Sequence, residues 1–297
     1  ASPGAMTTPA GNPETRPREP AGSGGRGTRD ALPLVVESLG VQIGSTTVVE
    51  GLDLDLRGGE YWGMLGPNGV GKTTLLRHLA GLARPAAGRV MLGEQSLERW
   101  SRRTLAQRLG MLQQHTAYVF DASVRDVALT GRHPHLGAWQ RESREDRMLA
   151  DAALGRVDLG ALADRSVTSL SGGEARRLAF ATLLVQDPDV MLLDEPTNHL
   201  DFRHQVRLMR TIGDRIYRDG RIGLAALHDV NLAATYCSHV LMLFGDGAWE
   251  AGKATDLLTS ARLERLYQCP VTAVDTAEGR RFHPAFGTAS ADDASSS

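Results

Sequence analysis

Gly66-Pro67-Asn68-Gly69-Val70-Gly71-Lys72-Thr73-Thr74 fits the pattern G-x-x-x-x-G-K-[ST], and its setting constrains the fold more than any other part of the 297-residue chain. A compact apolar run, Tyr61–Leu65, precedes it. After it, Thr73–Gly81 spaces Leu75, Leu76 and Leu79 as on one face of a helix. A strand that turns through glycines into a helix is what a phosphate cradle requires. The glycines let backbone N–H groups curl around phosphate oxygens, and the helix offers its positive end to the same anion. Lys72 is expected to reach the terminal phosphates, and the Thr73 hydroxyl to complete a Mg²⁺ shell. Only Lys72 and Lys253 among the 33 basic residues are lysines, so chance is a poor explanation for a lysine in this loop.

Strand-like and helix-like segments alternate around the loop. Leu52, Leu54 and Leu56 alternate with charged residues, as on a half-buried strand. Val190–Leu193, Ile222–Leu227 and Val240–Phe244 are short apolar runs of the kind buried on both faces. The stretch 203–218 separates two of them and carries Val206, Met209, Ile212 and Ile216 at helical spacing. The pattern predicts an α/β fold with a mainly parallel sheet. Residues 120–185 have helical periodicity with almost no strand signal and read as a helical insertion. Arg102, Arg103 and Arg108 are expected on a solvated helix face, and His199 and His204 have no evident partner in the sequence. His133-Pro134-His135 lacks a third ligand for a metal.

Composition narrows the classes. With 33 Lys+Arg against 35 Asp+Glu, no large electrostatic footprint for nucleic acid is expected. Two cysteines, Cys237 and Cys269, are too few for a disulfide scaffold and suit a reducing compartment. No run approaches the roughly 20 apolar residues that cross a bilayer. Residues 1–33, with six prolines and six glycines, lack the apolar segment of a secretory signal and have little to bury. They and the Ser/Ala/Asp-rich 288–297 are expected to be disordered tails, leaving 34–287 as one globular unit.

Two further motifs bear on chemistry. Val190-Met191-Leu192-Leu193-Asp194-Glu195 is an apolar strand ending in two acids. Such an end is common on its own, but beside a phosphate loop Asp194 is placed to hold Mg²⁺ and Glu195 to polarise an attacking water. Leu170-Ser171-Gly172-Gly173-Glu174 opens a helix running to about Val185. Taken alone it is an N-cap; with the other motifs it reads as a second phosphate-binding surface.

At this point the chain resembles the ATP-binding cassette (ABC) ATPases over roughly residues 34–270. Gly66–Thr74 is similar to their Walker A loop, Val190–Glu195 to Walker B, and Leu170–Glu174 to the signature motif with Glu in its last place. Gln114 resembles the Q-loop glutamine that senses Mg²⁺, Asn198–Asp201 the D-loop, and His228 the switch histidine at the γ-phosphate. Ile43 stands where the family usually stacks an aromatic ring on adenine, a departure that weakens the grip on the base. The resemblance implies a P-loop NTPase (RecA-like) core with a mainly parallel sheet, an N-terminal antiparallel β part and a helical subdomain at about 120–185. It implies ATP and Mg²⁺ as cofactors. It also implies a head-to-tail homodimer in which Ser171, Gly172, Gly173 and Glu174 of one copy, with Asp201 nearby, close over the other copy's nucleotide.

Gly131–Gly137, Thr197–Gln205, His228–Ala234 and the ending Leu257–Val271 look like the subgroup that energises import of ferric siderophores, haem and cobalamin. The segment His133–Gln140 with Glu142 looks somewhat closer to the cobalamin members. The expectation is a peripheral subunit on the cytoplasmic face of the inner (plasma) membrane, docked on integral permease subunits and served indirectly by a substrate-binding protein. No nucleic acid partner is expected. A cassette ATPase acting on a protein or nucleic-acid complex, or an exporter ATPase, is the alternative.

Overall fold

The computed structural model describes residues 31–114, 118–137 and 139–285. The chain enters through β1 (Leu34–Ile43), β2 (Thr46–Leu56), β3 (Tyr61–Leu65), α1 (Lys72–Leu79), β4 (Ala87–Leu92) and β5 (Gln95–Ser96). α2 (Arg102–Ala106) and β6 (Leu109–Leu112) lead into three helices, α3 (Val124–Leu129), α4 (Arg144–Arg156) and α5 (Gly172–Gln186). Alternation resumes with β7 (Val190–Asp194), α6 (Phe202–Tyr217), β8 (Ile222–Ala226), α7 (Val230–Tyr236), β9 (His239–Leu243) and β10 (Trp249–Lys253). The described chain closes with α8 (Ala254–Leu257), α9 (Ser260–Tyr267) and the hairpin of β11 (Val271–Thr276) and β12 (Gly279–Pro284). The tails expected at 1–33 and 288–297 lie outside the described residues, apart from Ala31–Pro33.

Two sheets share the work. An antiparallel sheet has the order β2-β1-β4-β5; the larger, six-stranded one runs β10-β9-β3-β8-β7-β6. Within the larger sheet β9, β3, β8, β7 and β6 are parallel, and only the β10 edge is antiparallel. Its central parallel strands are largely apolar because both faces are covered, and successive side chains leave on opposite sides. Val190 and Leu192 of β7 join the core that faces the antiparallel sheet, whereas Met191 and Leu193 join the core under the helices. β9 divides in the same way, with Leu241 and Leu243 on one side and Val240 and Met242 on the other. Among the described residues no helix is long and apolar enough to cross a membrane.

The strands are pinned together at their N-terminal ends. Asp189, buried just before β7, accepts from Arg108 Nη1 at 2.6 Å and from Arg221 Nη1. Arg108 precedes β6 and Arg221 precedes β8, so one carboxylate bridges three neighbouring strands. The expected solvated helix face therefore does not hold for Arg108, which ends the α2–β6 turn rather than a helix. Arg102 and Arg103 do lie exposed on α2, but they donate to the carbonyls of Gly81 and of Pro134 and Leu136. Replacing Asp189 with alanine strands Arg108 and leaves Arg221 with Asp187 alone, at 3.3 Å. The expected loss is about 3 kcal/mol of stability, read as a lower urea midpoint; an unchanged midpoint contradicts the assignment.

Candidate nucleotide site

Parallel pairing brings the motifs to one edge. Met64 of β3 pairs with Ala226 of β8, which pairs with Asp194 of β7, so these three strands end at one level. The chain beyond each end carries, in turn, the glycine loop, His228 and Glu195. β6, beside β7, ends two residues before Gln114. The carboxyl edge of a parallel sheet is where α/β proteins hold ligands. Here Ile43, Asn68, Gly69, Gly71, Lys72, Thr73, Thr74, Gln114, Glu195, Asn198 and His228 line an open cleft of about 580 Å³.

The loop's glycines answer to specific neighbours. A side chain at Gly66 would come within 2.7 Å of the Leu243 carbonyl. Gly71 has φ 102°, in the left-handed region, and a side chain there would lie 2.6 Å from Val48. Pro67 and Val70 complete the loop without lining the cleft. Lys72 is buried, and its Nζ donates to the carbonyls of Gly66 at 2.8 Å and Pro67 at 3.0 Å. Burial draws its pKa below the usual lysine value, while the Glu195 and Asp194 carboxylates oppose that shift. Its Nζ thus holds the loop's own carbonyl oxygens.

Asp194 is 1% exposed, and neither of its carboxylate oxygens has a hydrogen-bond partner among the described groups. Burial pushes its pKa up, with the nearby Thr73 hydroxyl, Arg176 and Lys72 pulling the other way. A buried carboxylate left without partners beside a threonine hydroxyl fits a divalent cation. Glu195 is held differently. Its carboxylate accepts from Gln114 Nε2 at 2.8 Å and from Asn198 Nδ2, and it pairs with His228 Nε2. Its backbone sits at φ 49°, a left-handed conformation uncommon for a residue other than glycine.

The remaining expected site residues are elsewhere. Ser171 caps α5 and forms a reciprocal box with Glu174. The Ser171 N–H and hydroxyl each donate to Glu174 Oε2 at 2.8 Å, and the Ser171 Oγ accepts from the Glu174 N–H. Those hydrogen bonds hold the Glu174 carboxyl below the usual carboxylate range. Neither Ser171, Gly172, Gly173 and Glu174 nor Asp201 lines the cleft. Asp201 caps α6 and accepts from the His204 N–H at 2.9 Å and from its ring Nδ1 at 2.8 Å. His204, which has no evident partner in the sequence, thereby has one; Asp158 lies 3.8 Å from its other nitrogen. Asn198 escaped the sequence reading as a ligand of Glu195, though a turn only three residues on is the place for one. Arg176, which donates to the carbonyls of Asp194 and Glu195, also escaped it.

A glycine cradle, a cation-ready carboxylate and a gripped glutamate around one cleft define the P-loop nucleoside triphosphatases. The family model for ABC transporters matches residues 49–198, and the chain belongs to that family. It is an ATP-binding subunit that hydrolyses ATP. The chain is 34% identical to the ferric enterobactin transport ATP-binding protein of Escherichia coli (strain K12), over 80% of this chain and 88% of the relative. It is 44% identical to the hemin import ATP-binding protein of Pseudomonas aeruginosa, over 71% of this chain and 82% of that one. Among solved structures, a chain of a metal-chelate type ABC transporter in an inward-facing conformation superposes with a TM-score of 0.75 at 28% identity. That match covers 86% of this chain and 99% of the other.

Proposed function

We propose that the chain is the energy-coupling ATPase of a metal-chelate importer, working as a head-to-tail pair on the cytoplasmic face of the membrane against integral permease subunits. One observation carries the reading. The cleft gathers the phosphate loop, Glu195, Gln114 and His228 from one chain, with Asp194 buried next to Glu195, while Ser171–Glu174 and Asp201 of that chain stay outside it. A second copy, related by a two-fold axis, supplies the missing donors and closes the nucleotide into the interface. The names of the relatives, for ferric enterobactin, hemin and cobalamin (the last 34% identical over 84% of this chain and 62% of the relative), support a metal chelate as the cargo.

Hydrolysis follows from partner exchange. Lys72 leaves the carbonyls of Gly66 and Pro67 for the β- and γ-phosphates, joined by the N–H groups at the start of α1. Ile43 offers an apolar surface to the base. Thr73, Asp194 and Gln114 would hold Mg²⁺, which neutralises charge building on the phosphates. His228 turns to the γ-phosphate, and Glu195, relieved of two of its three partners, accepts a proton from the attacking water. Ser171, Gly172 and Gly173 of the other copy hold the γ-phosphate from the far side. Beyond Gln114, the exposed apolar side chains of Val119, Phe120 and Trp139 support docking of a permease loop on this insertion.

Co-purification with the permease and reconstitution in vesicles test the reading. ATPase activity is expected to rise with a binding protein loaded with a ferric siderophore, haem or cobalamin, one class only. Stimulation by none of them, with the permease bound, overturns chelate import.

A further inference from the structure

Arg176 lies on α5, five residues beyond the Ser171 cap, and is buried although charged. Its neighbours one turn on along that face, Ala179 and the buried Phe180, are apolar, so packing α5 calls for no charge there. Its two terminal nitrogens carry four protons in a fixed plane. Nη1 donates to the carbonyls of Gln113 and, at 3.2 Å, Gln114; Nη2 donates to the carbonyls of Asp194 and, at 2.7 Å, Glu195. All four protons are used, on two loops that approach the cleft from different strands. Among the described residues it forms no ion pair. Its hydrogen bonds therefore go to backbone, while the Asp194 and Glu195 carboxylates act on its charge through space.

The carbonyls it holds flank the two side chains that matter most for the water. Gln114 Nε2 lies 2.8 Å from Glu195 Oε2. Glu195 keeps a left-handed backbone, which two adjacent carbonyls turned toward one guanidinium help to fix. We propose that Arg176 is a positioning residue for hydrolysis: its guanidinium locks the Gln114 loop and the Asp194-Glu195 turn into one frame. Because Arg176 and Ser171 share α5, the same frame ties both loops to the turn that meets the second copy. This rests on the roles given above to Gln114 and Glu195.

The test compares full-length Arg176→Gln, Arg176→Lys, Gln114→Ala, Glu195→Gln and the double variant Arg176→Gln/Gln114→Ala. A lysine ammonium is a point charge and cannot span both loops, so Arg176→Lys is expected to behave like Arg176→Gln. Each should bind a fluorescent ATP analogue within about twofold of the parent and lose roughly 10- to 100-fold in kcat, since a small misplacement of catalytic groups costs that much. The double variant should fall no further than the worse single one, because both changes break the same frame. Parental kcat in Arg176→Lys, losses in kcat and affinity that run in parallel, or multiplying losses in the double variant each overturn the proposal. So does failure of both Arg176 variants to fold, which makes the residue a structural one. Parental turnover in Glu195→Gln or Gln114→Ala sinks the site reading itself and the proposal with it; a parental Arg176→Gln beside impaired Gln114 and Glu195 variants sinks the proposal alone.

Discussion

Glu195→Gln is expected to leave ATP binding intact while slowing hydrolysis by roughly 10²- to 10⁴-fold, the usual contribution of a positioned general base. The amide keeps the size of the side chain and still accepts from Asn198, but it cannot take the proton of a water. With nucleotide bound and turnover blocked, the two copies stay closed. The variant with ATP and Mg²⁺ should therefore elute as a dimer in size-exclusion chromatography, where the parent shows a monomer after turnover. The geometry supports this because Glu195, not Asp194, is reached by Gln114, Asn198 and His228 together. Turnover at the parental rate removes Glu195 from the chemistry.

Lys72→Ala acts one step earlier. The ammonium is the one lysine in the cleft, and its present partners are neutral carbonyls at 2.8 and 3.0 Å. Exchanging these for phosphate oxygens gives charge-assisted hydrogen bonds worth about 1.5–3 kcal/mol, so calorimetry should show ATP affinity lower by about 10- to 100-fold. ATP-driven pairing should disappear with it. Lys253, the only other lysine, is exposed at the start of α8 and supplies the control, since its alanine variant keeps parental affinity. Normal affinity in Lys72→Ala contradicts the phosphate role.

Much of the fold was legible because strands buried on both faces leave apolar runs, and β3, β7, β8 and β9 match those runs to within about a residue. β6 was not legible. Leu109-Gly110-Met111-Leu112 is four residues long with a glycine inside it, and the arginine before it suggested a helix face. Its place at the sheet edge depends on pairing with β7 and on the Asp189 ion pair, which local pattern does not encode. The placing of β8 between β3 and β7 is likewise a long-range outcome, and it is what sets His228 opposite Glu195. In the site, contiguous motifs announced themselves, because a phosphate cradle needs glycines and a lysine in sequence. Asn198 and Arg176 did not, since each works through a tertiary contact, and Arg176 touches only backbone, which any residue at positions 113, 114, 194 and 195 presents.

The absence of Ser171–Glu174 from the chain's own cleft has a consequence for how the protein must be assayed. On the proposed head-to-tail pairing a working centre takes parts from two molecules, so the rate per molecule in free solution should climb with protein concentration and fall away on dilution. Two copies held side by side by a permease escape that dependence, because tethering fixes their mutual concentration at a high value whatever the number of molecules in the compartment. On that proposal anchorage is the on-switch: a stray subunit is expected to idle, and fuel to be spent only where there is a gate to move.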